Sequence, residues 1–305
     1  MAFKSNRSVG GDMGYFLAVA NRKGGVGKST ISVMLAHAFS IWGGQKVLVI
    51  DLDAQSNSSL ILIGGSQWIE SQHKSRNIAA YLEDRMYATN PIAEYIVDGS
   101  GDITNDEGQA PPLTLLPGSL NFEDMQDELI SFYSRGNVPF RQAKLKCANH
   151  FRQALNFAAP LADIIIMDCA PGLSNATSAA LKLADTVVVP FRPDAVSELA
   201  IDKISTIIEE RDFDNVIKMP MESRKYVGLA NYVRPGGRDR VFIDTIGFHH
   251  PVLKASMPLS QDLANAFFYA DEPQTMDEKY GGALLPMRAV YDELMKKLAL
   301  SARAA

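Results

Sequence analysis

Cysteine is nearly absent from this sequence. The two present, Cys147 and Cys169, form no C-x-x-C pair, which excludes a disulfide framework and points to a reducing compartment. Cys169 reads as a small buried hydrophobe rather than a redox or metal group. Long apolar runs are missing as well. No window is long enough to span a bilayer, and the polar, glycine-bearing stretch 1–14 lacks the apolar core of a signal peptide. These absences predict a cytoplasmic protein with no stable membrane insertion. Positive charge is not in excess either: 30 Lys and Arg face 35 Asp and Glu, for a net charge of −5. That excludes a wholly basic nucleic-acid binder and leaves a local patch, or one that dimerisation concentrates.

What is present suffices for a sizeable core. Of 305 residues, 47% are hydrophobic and 21% charged, ordinary for a globular chain. The length suits a single α/β domain, expected over residues 15–302 behind a flexible lead-in at 1–14.

The chain is organised around Ala18-Val-Ala-Asn-Arg-Lys-Gly-Gly-Val-Gly-Lys-Ser-Thr-Ile31. An apolar strand, Tyr15 to Ala20, runs into a glycine-rich turn, and Lys28-Ser29 opens a helix expected to reach about Ser40. Glycines at 24, 25 and 27 admit backbone angles closed to other residues, so the loop can wrap an anion. Its N–H groups and the positive end of the following helix suit a triphosphate. The predicted nucleotide-binding residues are Lys23, Gly24, Gly25, Val26, Gly27, Lys28, Ser29 and Thr30. Lys28 reaches the β and γ phosphates, and the Ser29 hydroxyl binds Mg²⁺.

Two further strands carry acids to the same place. Lys46-Val-Leu-Val-Ile-Asp51 is continuously apolar, as in parallel sheets, and delivers Asp51-Leu-Asp-Ala-Gln55 to the edge where ligands of open α/β sheets gather. Ala162-Asp-Ile-Ile-Ile-Met-Asp168 ends in an acid with Pro171-Gly172 just beyond. That is a Walker B pattern, and its acid, Asp168, binds Mg²⁺.

The loop departs from the common G-x-x-x-x-G-K-[ST] form, because Arg22 replaces the first glycine and Lys23 precedes the Gly-Gly pair. Lys-Gly-Gly-Val-Gly-Lys-Ser resembles the deviant Walker A signature of the ParA/MinD family of ATPases, with ParA/Soj-type partition ATPases the nearest in order and spacing. The resemblance implies that Lys23 crosses a dimer seam to the partner's nucleotide. It also makes Asp51-Leu-Asp-Ala-Gln55 the family's A′ motif, with Ala54 in place of the usual proline. Asp53 then orients the attacking water, and Asp51 supports the Mg²⁺ and lysine network. Lys23, Lys28 and Asp53 are thus the expected catalytic residues, and Ser29, Asp51 and Asp168 the expected metal set. Asn231 and Pro258 occupy positions where relatives hold adenine.

Elsewhere the patterns predict helices over Arg76 to Met86, from Asn121 to about Arg135, from Val138 to Phe157, from Ser197 to Arg211, and from Pro286 to about Leu298. Strands are expected at Leu113 to Pro117, Thr186 to Pro190 and Tyr226 to Asn231, and a polar surface loop at Gly99 to Pro112. Strands alternating with helices predict an α/β fold, a doubly wound and mostly parallel sheet with helices on both faces.

The resemblance further implies a homodimer formed on ATP, non-specific DNA binding on the nucleoid, and slow hydrolysis stimulated by a ParB-like or cargo adaptor protein. The cargo is a plasmid, a chromosome locus or a protein assembly. Between Val216 and Ile243 stand Lys218, Arg224, Lys225, Arg234, Arg238 and Arg240 against Glu222 and Asp239, six minus two for a local +4. Arg234, Arg238 and Arg240 are the candidate DNA contacts. Two rival classes stay open: a MinD-like membrane-cycling ATPase, and a metabolic P-loop enzyme of the dethiobiotin synthetase or cobyrinate amidase type. The last helix lacks the strongly basic polar face of an interfacial helix, and no motif marks a metabolic substrate pocket.

Overall fold

The computed structural model describes residues 13–87, 90–209 and 219–304, with side chains to residue 298. Most of the expected lead-in and Lys218 lie outside the described residues. Seven strands form one sheet: β1 (Tyr15–Val19), β2 (Val47–Leu52), β3 (Val97–Asp98), β4 (Leu113–Leu116), β5 (Ile164–Cys169), β6 (Thr186–Phe191) and β7 (Tyr226–Ala230). Their order is β3-β4-β2-β5-β1-β6-β7. Every pairing is parallel except that of the two-residue edge strand β3.

Strands that are apolar at nearly every position must be covered on both faces, and the side chains of β1 divide accordingly. Tyr15, Leu17 and Val19 enter one core, whereas Phe16 and Ala18 enter the other. Helices reach the two faces in blocks. Helices α1 (Lys28–His37) and α2 (Asn57–His73) cover the Leu17 face. The other face takes α3 (Ile78–Tyr87), α4 (Phe122–Tyr133), α5 (Phe140–Asn156), α6 (Asn175–Leu183), α7 (Ser197–Ile208) and α8 (Gly237–His249). The chain then returns to the first face with α9 (Gln261–Asn265), α10 (Met276–Tyr280) and α11 (Leu284–Ala304). The doubly wound sheet expected from the sequence is the fold. Truncating a central strand residue such as Ile166, fully buried between the layers, costs about 2–5 kcal/mol.

The final helix packs as expected. Met287, Val290, Tyr291, Leu294 and Leu298 are all buried in the core that also holds Ile31 and Leu35 of α1. Its apolar face is therefore not available to a membrane, and no helix among the described residues is long and apolar enough to cross one.

Two segments differ from expectation. Helix α2 occupies a region with no clear helical pattern, because Gly64-Gly65 interrupts it. Gly64 takes φ 69°, and a Cβ there would strike the Tyr269 ring at 2.9 Å. The stretch Gly99 to Pro112 is not wholly at the surface. Asp102 and Ile103 are buried, Asp102 is paired with buried Lys279 at 2.6 Å, and Ile103 bridges to Gln274. Acidic composition suggested exposure, but a distant lysine on α10 neutralises the one acid that goes inside.

Candidate nucleotide site at the carboxyl edge of the sheet

Parallel strands all end at one edge, and the loops after β1, β2, β5, β6 and β7 converge there. The loop after β1 enters α1 through Gly27, whose φ of 86° is left-handed and which has no side chain to cap the helix. The first N–H groups of α1 have no intrahelical acceptor, so the helix start presents donors and partial positive charge to an anion. Only glycine fits at 27, since a Cβ would lie 2.3 Å from Asn231 Nδ2.

Asn231, expected at the adenine, does a further job. Fully buried at the end of β7, its Nδ2 donates to the Val26 carbonyl at 2.9 Å and its Oδ1 accepts from the Tyr232 N–H at 3.0 Å. It thus braces the loop from behind. Pro258 comes to the same corner through a parallel bridge with Val233. Tyr232, not foreseen, holds φ 59°, an uncommon backbone state for an aromatic residue that is typical of ligand-binding corners. The Arg192 guanidinium lies 4.5 Å from its ring centre.

Lys28 and Lys23 stand apart in environment. Lys28 is buried, and its Nζ lies 3.4 Å from the Lys23 carbonyl. Burial lowers its pKa, while the negative charges of Asp168 and Asp53 pull it back up. Lys23 is half-exposed, and its Nζ forms an ion pair of 2.5 Å with Asp194 in the loop after β6. Asn21 fixes that corner by accepting from the Lys23 N–H at 2.9 Å and donating to the Pro190 carbonyl at 2.7 Å. The Gly172 N–H donates to the Arg22 carbonyl at 3.2 Å, which joins the Pro171-Gly172 turn to the loop.

The acids meet as the register dictates, because Asp51 of β2 lies directly opposite Asp168 of β5. Both are fully buried. Burial pushes each carboxyl above its usual range, and for Asp168 the neighbouring Asp51 charge adds to the effect. Their partners differ. Asp51 Oδ2 accepts from Ser59 Oγ at 2.6 Å and from the Ser59 N–H at 3.0 Å, and its Oδ1 accepts from the Asp53 N–H at 3.1 Å. Asp168 Oδ1 accepts from Ser32 at 3.0 Å. Asp168 Oδ2 has no partner although it is buried. An orphaned buried carboxylate oxygen beside Ser29 fits a hard divalent cation such as Mg²⁺. Asp53 is buried and accepts from the Gln55 N–H at 2.9 Å.

The basic cluster is weaker than its charge count suggests. Arg224 is buried, donates to the His249 carbonyl at 2.6 Å, and lies 3.6 Å from Glu209. Arg234 pairs with Asp239 at 2.8 Å and Arg240 with Asp244 at 3.0 Å. Arg238 has no ion pair among the described residues. Two acids outside the counted window, Glu209 beside Arg224 and Asp244 beside Arg240, offset half of the local +4.

A family profile described as an AAA domain matches residues 14–218. The virulence plasmid ParA family protein pGP5-D of Chlamydia muridarum is 29% identical over 231 residues, 75% of this chain and 73% of that protein. The sporulation initiation inhibitor protein Soj of Bacillus subtilis is 29% identical over 180 residues, 59% of each. The chain belongs to the ParA/MinD family of P-loop ATPases. It spans about half to three quarters of the curated relatives it matches. As a ParA/MinD-type chain it shares its fold with the ATP complex of a Cyanothece McdA variant, at TM-score 0.65 and 16% identity over 92% of this chain and 96% of that one. Cobyrinic acid a,c-diamide synthase of Mycobacterium smegmatis, bound to ADP and magnesium, reaches TM-score 0.63 at 20% identity over 94% and 96%. At those identities the likeness is one of fold alone.

Proposed function

We propose that this chain is a partition or positioning ATPase: it binds ATP, dimerises over it, engages duplex DNA without sequence preference, and hydrolyses slowly until a partner protein accelerates the step. The observation that carries this reading is the separation of the two loop lysines. Lys28 turns inward onto the acids of its own subunit, whereas Lys23 sits at the rim, held by a single half-exposed ion pair.

In the proposed cycle the α1 N–H groups and Lys28 bind the phosphates. Ser29 and Asp168 would hold Mg²⁺, with Asp51 bracing from behind, and would thereby supply charge neutralisation for phosphoryl transfer. Asp53 orients the attacking water. Lys23 leaves Asp194 and reaches the partner's nucleotide. The rim supports an interface there. Leu120, Leu173, Val196, Leu199 and Leu259 are exposed on loops and first helical turns at the carboxyl edge, and exposed apolar residues grouped on one face mark contact sites. Arg234, Arg238 and Arg240 remain the proposed duplex contacts, with Arg238 the most available. The cargo is a plasmid, a chromosome locus or a protein assembly.

Sedimentation with ATP, with ADP and without nucleotide tests the reading. A dimer specific to ATP supports it. A monomer in all three states, with turnover that responds to a small-molecule acceptor, would favour the metabolic alternative.

A further inference from the structure

Ser56 sits in a conformation that serves glycine better than serine. It is the N-cap of α2, since its carbonyl accepts from the Leu60 N–H at 2.9 Å and so opens the helix. A serine there ordinarily takes extended backbone and offers its hydroxyl to the N–H of the second or third helical residue. Here the backbone is left-handed, at φ 52° and ψ 31°, and the side chain makes no cap bond. That backbone state is uncommon for a residue with a side chain. The hydroxyl is fully buried and has no partner, which is also rare in a folded protein.

The cap comes from another residue. Ser59, third in α2, donates its N–H to Asp51 Oδ2 at 3.0 Å and its hydroxyl to the same oxygen at 2.6 Å. Asp51 therefore stands where Ser56 Oγ would ordinarily be. The two groups border one small space, because a Cβ on Gly118 would lie 2.6 Å from Ser56 Oγ and 3.0 Å from Asp51 Oδ2. One helix start thus has two candidate caps. The cap in use is the acid assigned above to brace Mg²⁺.

We propose that Ser56 is a positioning residue acting through Asp51: with nucleotide and Mg²⁺ bound, Ser56 turns to extended backbone, its hydroxyl accepts from the Ser59 N–H, and Asp51 is released toward the ion. The inference rests on the reading of Asp51 given above, and on neither dimerisation nor DNA binding. The exchange relieves the left-handed backbone and gives the buried hydroxyl a partner, so both features favour the bound state. It also reaches Asp53. Buried Leu62 and Ile63 hold α2, and strand pairing with β5 holds Asp51, so a dihedral change at Ser56 is taken up by residues 53–55. The Ser56 N–H donates to the Asp53 carbonyl at 2.9 Å and ties that movement to the acid proposed to orient water.

The test is calorimetric titration with a non-hydrolysable ATP analogue, in Mg²⁺ and in EDTA, on wild type, Ser56→Ala and Ser56→Gly. Wild type should bind more tightly in Mg²⁺. In Ser56→Ala that gain should shrink about 5-fold, as loss of an N-cap side chain requires, while affinity in EDTA stays at the wild-type value. Ser56→Gly should show a similar shrinkage together with a higher urea midpoint without nucleotide, because glycine adopts the left-handed state freely. A crystal structure of wild type with the analogue and Mg²⁺ reads the exchange without any variant. Ser56 should there have negative φ, with its Oγ in hydrogen-bond reach of the Ser59 N–H. Ser56 at positive φ with the Ser59 N–H still on Asp51 overturns the proposal. A Mg²⁺ gain undiminished in Ser56→Ala overturns it as well, as does an equal loss of affinity in both buffers, the mark of a residue that only holds the fold. Failure of the underlying metal reading looks different: wild type then binds the analogue equally in Mg²⁺ and in EDTA, which removes the proposal with it.

Discussion

The two ends of the glycine loop carry the same side chain in opposite settings. Lys28 opens α1, is buried, and lies in the field of Asp168 and Asp53. Lys23 stands five residues earlier, half in water, and pairs with Asp194 across to another strand's loop. A buried lysine among its own subunit's acids is placed for binding and cannot leave without stranding charge. A rim lysine held by one exposed pair is weakly retained, since such pairs contribute about 0.2–1 kcal/mol. The difference supports the proposed reading, in which one lysine serves the nucleotide of its own chain and the other changes partners.

The comparison breaks most visibly at the Lys28 end. Asp53→Ala should slow stimulated hydrolysis by about 10²–10⁴-fold, as loss of a positioned acid–base group does, while ATP binding persists. Unchanged turnover would move the water-orienting role to another residue. Lys28→Ala should weaken ATP about 10²–10³-fold, because losing one charge-assisted contact to the phosphates costs about 3–4 kcal/mol. Calorimetry that finds wild-type affinity in this variant would contradict the inward role.

The far end of α1 supplies an internal control for burial. His37 is fully buried, hydrogen-bonded to the Tyr280 hydroxyl at 2.7 Å, and burial with the nearby Lys279 charge pushes its pKa down to about 3. Between its ordinary 6.5 and about 3, the unfolded chain takes a proton that the folded chain refuses, so this contribution to stability falls as pH falls. From pH 7 to 5 the loss is about 2 kcal/mol. Urea midpoints of wild type and His37→Gln at both pH values check it. The wild type should lose about 2 kcal/mol more than the variant over that interval, and equal losses would refute it. The smallest effect belongs to Lys23's restraint. Asp194→Asn should lower the protein concentration needed for the ATP dimer by no more than about 5-fold, read by sedimentation. A variant that dimerises less readily than wild type would make Asp194 part of the seam instead of a restraint.

The motifs were legible because their chemistry needs contiguous residues. Gly24 to Ser29, Asp53 and Asp168 are each fixed by a strand that ends where its successor must turn. What was not legible depends on residues far apart in sequence. Nothing near Asp194 marks it as the partner of Lys23, 171 positions away. The position of Asn231 suggests a base contact, and only the structure adds that its side chain spans 205 positions to brace Val26. The arginines of 224–240 counted as charge, but Glu209 and Asp244 lie outside the counted window. Helix α2 escaped because Gly64-Gly65 breaks its period, which only the Tyr269 ring packed on Gly64 explains.

The division of labour between the lysines is tested most directly by sedimentation velocity of Lys23→Ala with saturating ATP, alongside a nucleotide-binding titration of the same sample. The account predicts a protein that binds ATP as wild type does and remains a monomer. A Lys23→Ala protein that dimerises on ATP and hydrolyses it at the wild-type rate would contradict it.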